Sequence, residues 1–168
     1  RVAWYEGALF YDLSNEEWEV VKITKEGWEI VKNPPILFRR YQHQQPQVNP
    51  SKKGDFRKLL NFFNLKSENN KHLALVSVAS MLIPGIPHVI IILHGAQGSA
   101  KSTFFKVLKK LIDPSSLLVL SFPADKKELV QKLSHHWLAL FDNVSYLSQE
   151  HSDVLCRAVT GEGLSKRE

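Results

Sequence analysis

The stretch that decides the fold runs from His88 to Thr103 and reads HVIIILHGAQGSAKST. Val89 to Leu93 form an unbroken apolar run, which is typical of a strand buried on both faces of a parallel sheet. After Ser102, apolar side chains recur at helical spacing as far as Asp113-Pro114, where proline ends a helix. The sequence therefore predicts a strand, a glycine-rich loop and a helix in succession.

The loop over residues 95–102, GAQGSAKS, is close to the phosphate-binding pattern G-x-x-x-x-G-K-[ST]. Glycines let backbone N–H groups surround a phosphate, and a helix N-terminus adds partial positive charge. We expect Lys101 at the β- and γ-phosphates of ATP and the Ser102 hydroxyl on Mg²⁺. Ala100 stands where glycine is usual, and its methyl group is tolerable if this residue has helical dihedral angles. The alternative is a Gly/Ser-rich turn without a ligand, which the flanking strand and helix make less favourable. The predicted phosphate-binding residues are Gly95, Ala96, Gln97, Gly98, Ser99, Ala100, Lys101, Ser102 and Thr103.

A metal-binding carboxylate is expected at the end of a later strand. The apolar run from His136 ends in Asp142, one helix and one strand after the loop, a placement that suits an aspartate acting on Mg²⁺ through water. Asn143 follows, where many ATPases have a glutamate; an amide orients water but cannot take its proton. Catalysis is then mainly positional, or another carboxylate contributes, such as Glu150 or Asp153. The predicted catalytic residues are Lys101, Asp142 and Asn143.

The order of elements predicts an α/β fold with a parallel P-loop sheet and flanking helices. Residues 117–120 are predicted as a strand, Asp125 to Leu133 as a helix, His136 to Asp142 as a strand and Ser148 to Val159 as a helix. Two further helices are expected within residues 55–82, beside the sheet.

The first part of the chain has a different character. Short β-rich runs separated by turn residues predict a small antiparallel β domain over residues 1–48, ahead of a P-loop core over residues 49–168. Residues 42–53 are rich in Gln, Pro and Asn and are interpreted as a linker. Trp4, Trp18 and Trp28 either cover the core of this thin sheet, the favoured interpretation, or form a base-stacking platform.

Composition excludes several classes of protein. The net charge of +5 is compatible with nucleic acid and equally with a solvated basic surface. Cys156 is the only cysteine, so an internal disulfide and a cysteine-rich zinc site are excluded, and a reduced, cytoplasmic setting is expected. No apolar run has the length of a membrane span. Arg1 in place of Met suggests a piece of a longer protein.

GAQGSAKST, FDNVSYLS and the closing LCRAVTGEGLSKRE together resemble the superfamily 3 type ATPase of primase–helicases from phages, plasmids and integrated elements. The resemblance covers roughly residues 55–168 and implies an AAA+-related, ring-forming, hexamer-like motor that moves on DNA, expected here to be single-stranded. It assigns nucleotide and Mg²⁺ contacts to Gly95, Gly98, Lys101, Ser102 and Asp142. It also implies that Lys166 and Arg167 face DNA, and that the sensor residue and arginine finger lie beyond Glu168, so the sheet is truncated.

Three functions remain open on the sequence. The leading one is an ATP-driven replication helicase, of which residues 1–168 bind ATP with little turnover. The second is a P-loop kinase acting on a small molecule, which requires a lid and an acceptor pocket. The third is a non-hydrolysing module in which ATP only orders an assembly, an interpretation that Asn143 keeps open.

Overall fold

The computed structural model describes residues 1–95 and 100–161. Its N-terminal part is a four-stranded antiparallel sheet with the strands in sequence order. Glu6 and Gly7 join the first two strands with positive φ angles of 45° and 77°, the backbone of a two-residue hairpin turn. This sheet agrees with the antiparallel β structure that the sequence predicts for this part of the chain. The strands are β1 (Val2–Tyr5), β2 (Ala8–Asp12), β3 (Val20–Thr24) and β4 (Gly27–Val31).

The rest of the described chain consists of helices and one short pair of strands. No helix in this part of the chain has the length and hydrophobicity that a membrane span requires. The elements are a 3₁₀ helix (Phe56–Phe62), α1 (Glu68–Ser80), α2 (Lys101–Ile112), β5 (Leu120–Ser121), α3 (Lys126–His135), β6 (Phe141–Asp142) and α4 (Gln149–Thr160).

Strand β2 lies at the centre of the sheet and is buried along its whole length. Because successive side chains of a strand point to opposite faces, it contributes to a core on each side. Leu9 and Tyr11 lie in one cluster, against which Trp28 and Trp137 pack, and Phe10 lies in the other. The sheet is therefore covered on both faces.

The C-terminal half of α2 joins the sheet to the helices. Leu108 and Ile112 form a core with Leu59 of the 3₁₀ helix and Val78 of α1. The Tyr11 hydroxyl of β2 donates a hydrogen bond to the Ile112 carbonyl oxygen at 3.0 Å. This packing fixes α2, whose first turn carries the candidate site.

A buried ionic cluster closes the same end of α2. The Lys109 ammonium lies 2.7 Å from Asp113 Oδ2, 2.6 Å from the Leu138 carbonyl oxygen and 3.2 Å from His136 Nδ1. Arg1 Nε donates to the other carboxylate oxygen, Asp113 Oδ1, at 2.8 Å. Lys109 and Asp113 are each 1% exposed, so their charges depend on these partners rather than on water.

The pKa values of Lys109, Asp113 and His136 are all shifted, and burial lowers that of Lys109. Burial on its own raises the pKa of Asp113, but Lys109, the Leu138 N–H and Arg1 together hold that pKa below its ordinary value. Burial, reinforced by the charge of Lys109, lowers the pKa of His136 to about 4. His136 is therefore neutral near pH 7, where it adds no second positive charge beside the ammonium.

The last three predicted helices are confirmed within two residues. Asp113 follows α2 as its C-cap residue. The Asp125 carboxylate accepts a hydrogen bond from the N–H of Glu128, and the Ser148 hydroxyl accepts one from the N–H of His151. Such caps satisfy backbone donors that a helix leaves unpaired, which explains why α3 and α4 begin where they do.

The predicted buried strand at Val89–Leu93 is wrong. This segment has no strand pairing, and Val89 and Ile92 are 61% and 78% exposed. A continuous apolar run becomes a buried strand only where neighbouring strands pair with it on both sides. Here the His88 N–H donates instead to the carbonyl oxygen of Val159, near the end of α4, at 2.9 Å.

The parallel P-loop sheet with flanking helices is therefore also wrong as a description of the fold. The only parallel pairing among the described residues joins β5 and β6 over two residues each. The strands predicted over residues 117–120 and 136–142 shrink to these short segments. His136 and Trp137, which the pattern placed in a strand, serve the ionic cluster and the sheet core.

Part of the predicted linker is packed rather than free. The Gln45 N–H donates to the Pro114 carbonyl oxygen at 3.0 Å, and the Gln47 side-chain amide donates to the Leu111 carbonyl oxygen at 2.8 Å. The segment of residues 44–47 therefore packs against the C-terminal end of α2. The domain boundary at residue 48 stays a prediction.

The three tryptophans differ in their exposure and contacts. Trp28 packs against a core cluster of the sheet, as the favoured interpretation predicts. Trp4 is more exposed and donates from its indole nitrogen to the Pro84 carbonyl oxygen at 3.1 Å. Trp18 is half exposed, with the Arg40 guanidinium 3.9 Å from its ring centroid.

Candidate nucleotide site

The first turn of α2 differs from those of α3 and α4. Ala100, its N-cap residue, forms no side-chain cap, and no acidic residue lies in the first turn. In α3 and α4 a side chain caps the helix, and Glu128 and Glu150 lie in the first turns. The α2 terminus therefore presents backbone donors and partial positive charge without an acidic residue in its own first turn.

Ala100 does not have the helical dihedral angles that would make its methyl group harmless. Its φ and ψ angles are 61° and 15°, in the left-handed region, which disfavours L-residues with a Cβ atom. The glycine that usually precedes the motif lysine would adopt this conformation without strain. The substitution thus stores conformational energy at the junction of loop and helix.

Lys101 is the first residue of α2 and contacts the first glycine of the motif. Its ammonium donates to the Gly95 carbonyl oxygen at 2.8 Å, and it has further interactions. This hydrogen bond therefore connects the lysine of the motif to its first glycine. Ala96, Gln97, Gly98 and Ser99 lie outside the described residues.

The structure brings Ser102 and Asp142 together across 40 positions of sequence. The Ser102 hydroxyl donates to Asp142 Oδ2 at 3.2 Å. Parallel pairing of β6 with β5 holds Phe141 and Asp142 in register with Leu120 and Ser121. The carboxylate predicted from the strand end thus lies next to the motif hydroxyl, although the strand is only two residues long.

The backbone N–H of Asn143 helps to orient the Asp142 carboxylate. Its φ angle is 55°, a left-handed conformation that asparagine adopts more readily than most residues. In this conformation its N–H donates to Asp142 Oδ1 at 2.8 Å. One carboxylate oxygen therefore accepts from Ser102 and the other from Asn143, which fixes the orientation of the group.

The Ser102 and Asp142 oxygens have a spacing that two ligands of one Mg²⁺ ion could have. Adjacent oxygens in an octahedral Mg²⁺ shell lie about 3 Å apart, close to the 3.2 Å between the Ser102 and Asp142 oxygens. Protein Mg²⁺ sites of this kind use one or two carboxylates and leave the other positions to phosphates and water. The described residues contain no group of three or more His, Cys, Asp or Glu side chains that could hold a metal alone.

The remaining predicted site residues are placed less closely. Thr103 is an exposed hydroxyl on the same first turn and has no assigned role. Lys166 and Arg167, predicted to face DNA, lie outside the described residues. Glu150 and Asp153, the alternative catalytic carboxylates, lie on α4, where Asp153 accepts a hydrogen bond from Gln149 at 2.9 Å.

The site lies within the part of the chain that matches a known family. Residues 56–168 match the actinomycete integrative conjugative element replication protein, and they cover about two thirds of the chain. The chain belongs to this replication protein family. No curated protein and no solved structure matches the chain.

The family match includes both halves of the candidate site and the helices that support them. It begins at the 3₁₀ helix and leaves the antiparallel sheet outside. Membership of this family agrees with the earlier resemblance in the general role, DNA replication. It does not identify the chain as a superfamily 3 helicase.

Sequence reasoning missed the buried residues that hold the C-terminal end of α2 in place. Lys109 and Asp113 lie four positions apart, the spacing of a helical ion pair, and this spacing was the available signal. Nothing in the sequence pattern indicates that both would be buried, or that Arg1 and His136 would join them.

Proposed function

We propose that this replication protein binds Mg·ATP at the first turn of α2 and uses ATP in replicating DNA. The observation that carries the proposal is the contact between Ser102 and Asp142. A phosphate-loop serine and a carboxylate distant in sequence lie where one metal ion can contact both.

Each residue has a task in this proposal. Backbone N–H groups of the loop from Gly95 and of the α2 N-terminus bind the phosphates, and the Lys101 ammonium neutralises their charge. Ser102 and Asp142 hold Mg²⁺, which, when bound, offsets negative charge on the phosphate oxygens. Asn143 positions Asp142 through its N–H and orients water with its amide.

The finer proposal is that ATP hydrolysis drives movement on single-stranded DNA. The resemblance of GAQGSAKST and FDNVSYLS to superfamily 3 motors supports it, and so does membership of a replication protein family. With this resemblance we propose ring assembly from several copies and DNA contacts at Lys166 and Arg167.

A second candidate is a module in which ATP orders an assembly without being hydrolysed. The geometry around Asn143 favours it, because the residue next to Asp142 offers an amide and a backbone N–H rather than a proton acceptor. The two candidates share the binding site and differ in turnover.

The proposal is tested by changing Lys101→Ala and titrating a fluorescent ATP analogue in the presence of Mg²⁺. A charge-assisted contact to phosphate contributes about 1.5–3 kcal/mol, so the dissociation constant should rise at least about tenfold. The matched control is Lys106→Ala, an exposed lysine of the same helix. Equal affinities for both variants and the unchanged protein would refute the assignment.

A further inference from the structure

The segment from Ser51 to Phe62, SKKGDFRKLLNF, is an exposed basic surface between the sheet and α1. Four cationic side chains lie on it, and they take part in none of the ion pairs found among residues 1–95 and 100–161. Asp55, the single acid, accepts the backbone N–H of Arg57 as the cap of the 3₁₀ helix. The cations are Lys52, Lys53, Arg57 and Lys58.

Two aromatic rings are exposed within the same segment. Phe56 and Phe62 are 43% and 60% exposed, whereas Leu59 between them is buried. In a 3₁₀ helix, residues three apart lie on one face, so the two rings occupy the ends of the face that Leu59 anchors in the core. The rings are held by that anchor while much of their surface remains in water.

This surface is close to the candidate nucleotide site. Phe63, the residue after the 3₁₀ helix, packs on Phe104 with a centroid distance of 4.8 Å. Phe104 lies in the first turn of α2, two residues after Ser102. A ligand on the basic segment therefore contacts an element packed against the start of α2.

The chemistry of the segment fits a single strand of nucleic acid. Cations bind the phosphate backbone, and exposed aromatic rings stack on unpaired bases. The exposed Trp18 offers a poorer alternative, because Glu16, Glu17 and Glu19 surround it in sequence and Arg40 already lies over its ring.

We infer that residues 51–62, here called the basic–aromatic segment, bind single-stranded DNA. Lys52, Lys53, Arg57 and Lys58 contact phosphates, and the rings of Phe56 and Phe62 stack on bases. The choice of DNA rests on the proposed function, which assigns the protein to DNA replication. The segment is separate from Lys166 and Arg167, so both surfaces can contribute.

The test measures binding of a labelled oligothymidylate by fluorescence anisotropy in the intact protein without nucleotide, over a range of salt concentrations. In Lys52→Ala/Lys53→Ala, loss of two phosphate contacts should lower the slope of log affinity against log salt by about 1.4. The matched control is Lys126→Ala/Lys127→Ala, an equally exposed lysine pair on α3, which should leave the slope unchanged.

Stacking is tested separately by Phe62→Leu, which keeps an apolar side chain and the charge but removes the aromatic face. Affinity for the single strand should fall about fivefold or more, whereas affinity for duplex DNA of equal length should change little. Circular dichroism and the midpoint of thermal unfolding show whether each variant is folded.

Two outcomes would overturn the inference. One is an equal loss of affinity in the two lysine pairs, which would indicate general attraction of a polyanion. The other is single-strand binding that is unchanged both in Phe62→Leu and in Lys52→Ala/Lys53→Ala. A titration with Mg·ATP on the same preparations separates this failure from failure of the proposed function, since the segment contributes none of the site residues.

Discussion

Ala100 is the residue at which the candidate site departs most from an unstrained backbone. Its left-handed conformation costs about 1–2 kcal/mol for a residue with a Cβ atom. Glycine would remove this cost, but part of the gain would be lost because glycine gives the unfolded chain more conformational freedom. We therefore expect Ala100→Gly to stabilise the protein by about 0.5–1 kcal/mol, measured as a shift in the midpoint of denaturant unfolding.

The same substitution in an ordinary helix should have the opposite sign. Ala79 is an exposed residue in the last turn of α1, where Ala79→Gly should cost up to about 1 kcal/mol. If Ala100→Gly also destabilises the protein, Ala100 has a right-handed conformation and the strain inferred here is absent.

Helix α2 is the element that links the site to the core, with Ser102 at one end and the ionic cluster at the other. His136 in that cluster has a pKa of about 4, below the 6.5 of an unfolded histidine. A lowered pKa means that the unfolded chain binds the proton more readily. The stability associated with neutral His136 is therefore full above pH 6.5 and is lost as the pH falls toward 4, by about 3 kcal/mol.

This pH dependence is measured as the free energy of unfolding between pH 7 and pH 4. His136→Gln should flatten the curve in that window, whereas His72→Gln, a change at an exposed histidine of α1, should not. His43 stacks on His136 at 4.1 Å, and its pKa is lowered by burial and then by Lys109. Some pH dependence of the free energy of unfolding should therefore persist in His136→Gln. A curve identical to that of the unchanged protein would show that burial of His136 does not contribute to this pH dependence.

The elements differ in how far sequence alone predicts them. Helices α2, α3 and α4 follow from local signals, namely apolar spacing, the caps at Asp125 and Ser148, and the Asp113-Pro114 stop. A buried strand at Val89–Leu93 would need neighbouring strands from elsewhere in the chain, and local sequence does not specify whether these form. An apolar run carries no information about whether those partners are present.

In the molecule as a whole, the contact between Ser102 and Asp142 is predicted better than the sheet that was expected to hold these residues. Ser102 and Asp142 lie in contact, as the motif pair predicts, because the end of a short strand suffices to place one carboxylate. The Ala100 conformation and the buried cluster around Lys109 were not predictable, since both depend on tertiary packing.

Turnover should be slow when residues 1–168 act alone. Charge on the transferring phosphoryl group calls for a further cation, typically an arginine from a neighbouring subunit, worth about 10³–10⁵ in rate, and Asn143 cannot accept a proton. We expect the chain to bind Mg·ATP and to release phosphate barely above the uncatalysed background.

The check is phosphate release per molecule over a wide range of protein concentration. A rate that stays low and rises only at high concentration agrees with a missing contribution from a neighbouring copy. Fast turnover that is independent of concentration would show that the catalytic groups are complete within one chain.

The most direct test of the central claim is the Mg²⁺ dependence of ATP binding in Asp142→Asn. This change keeps an oxygen that can accept the Ser102 hydrogen bond but removes the negative charge that binds the metal. We expect Mg²⁺ to strengthen ATP binding in the unchanged protein and in the control Asp153→Asn. In Asp142→Asn that gain should fall at least about tenfold, with Mg²⁺-free affinity retained. An equal Mg²⁺ gain in all three proteins would contradict the claim that Ser102 and Asp142 form the metal site.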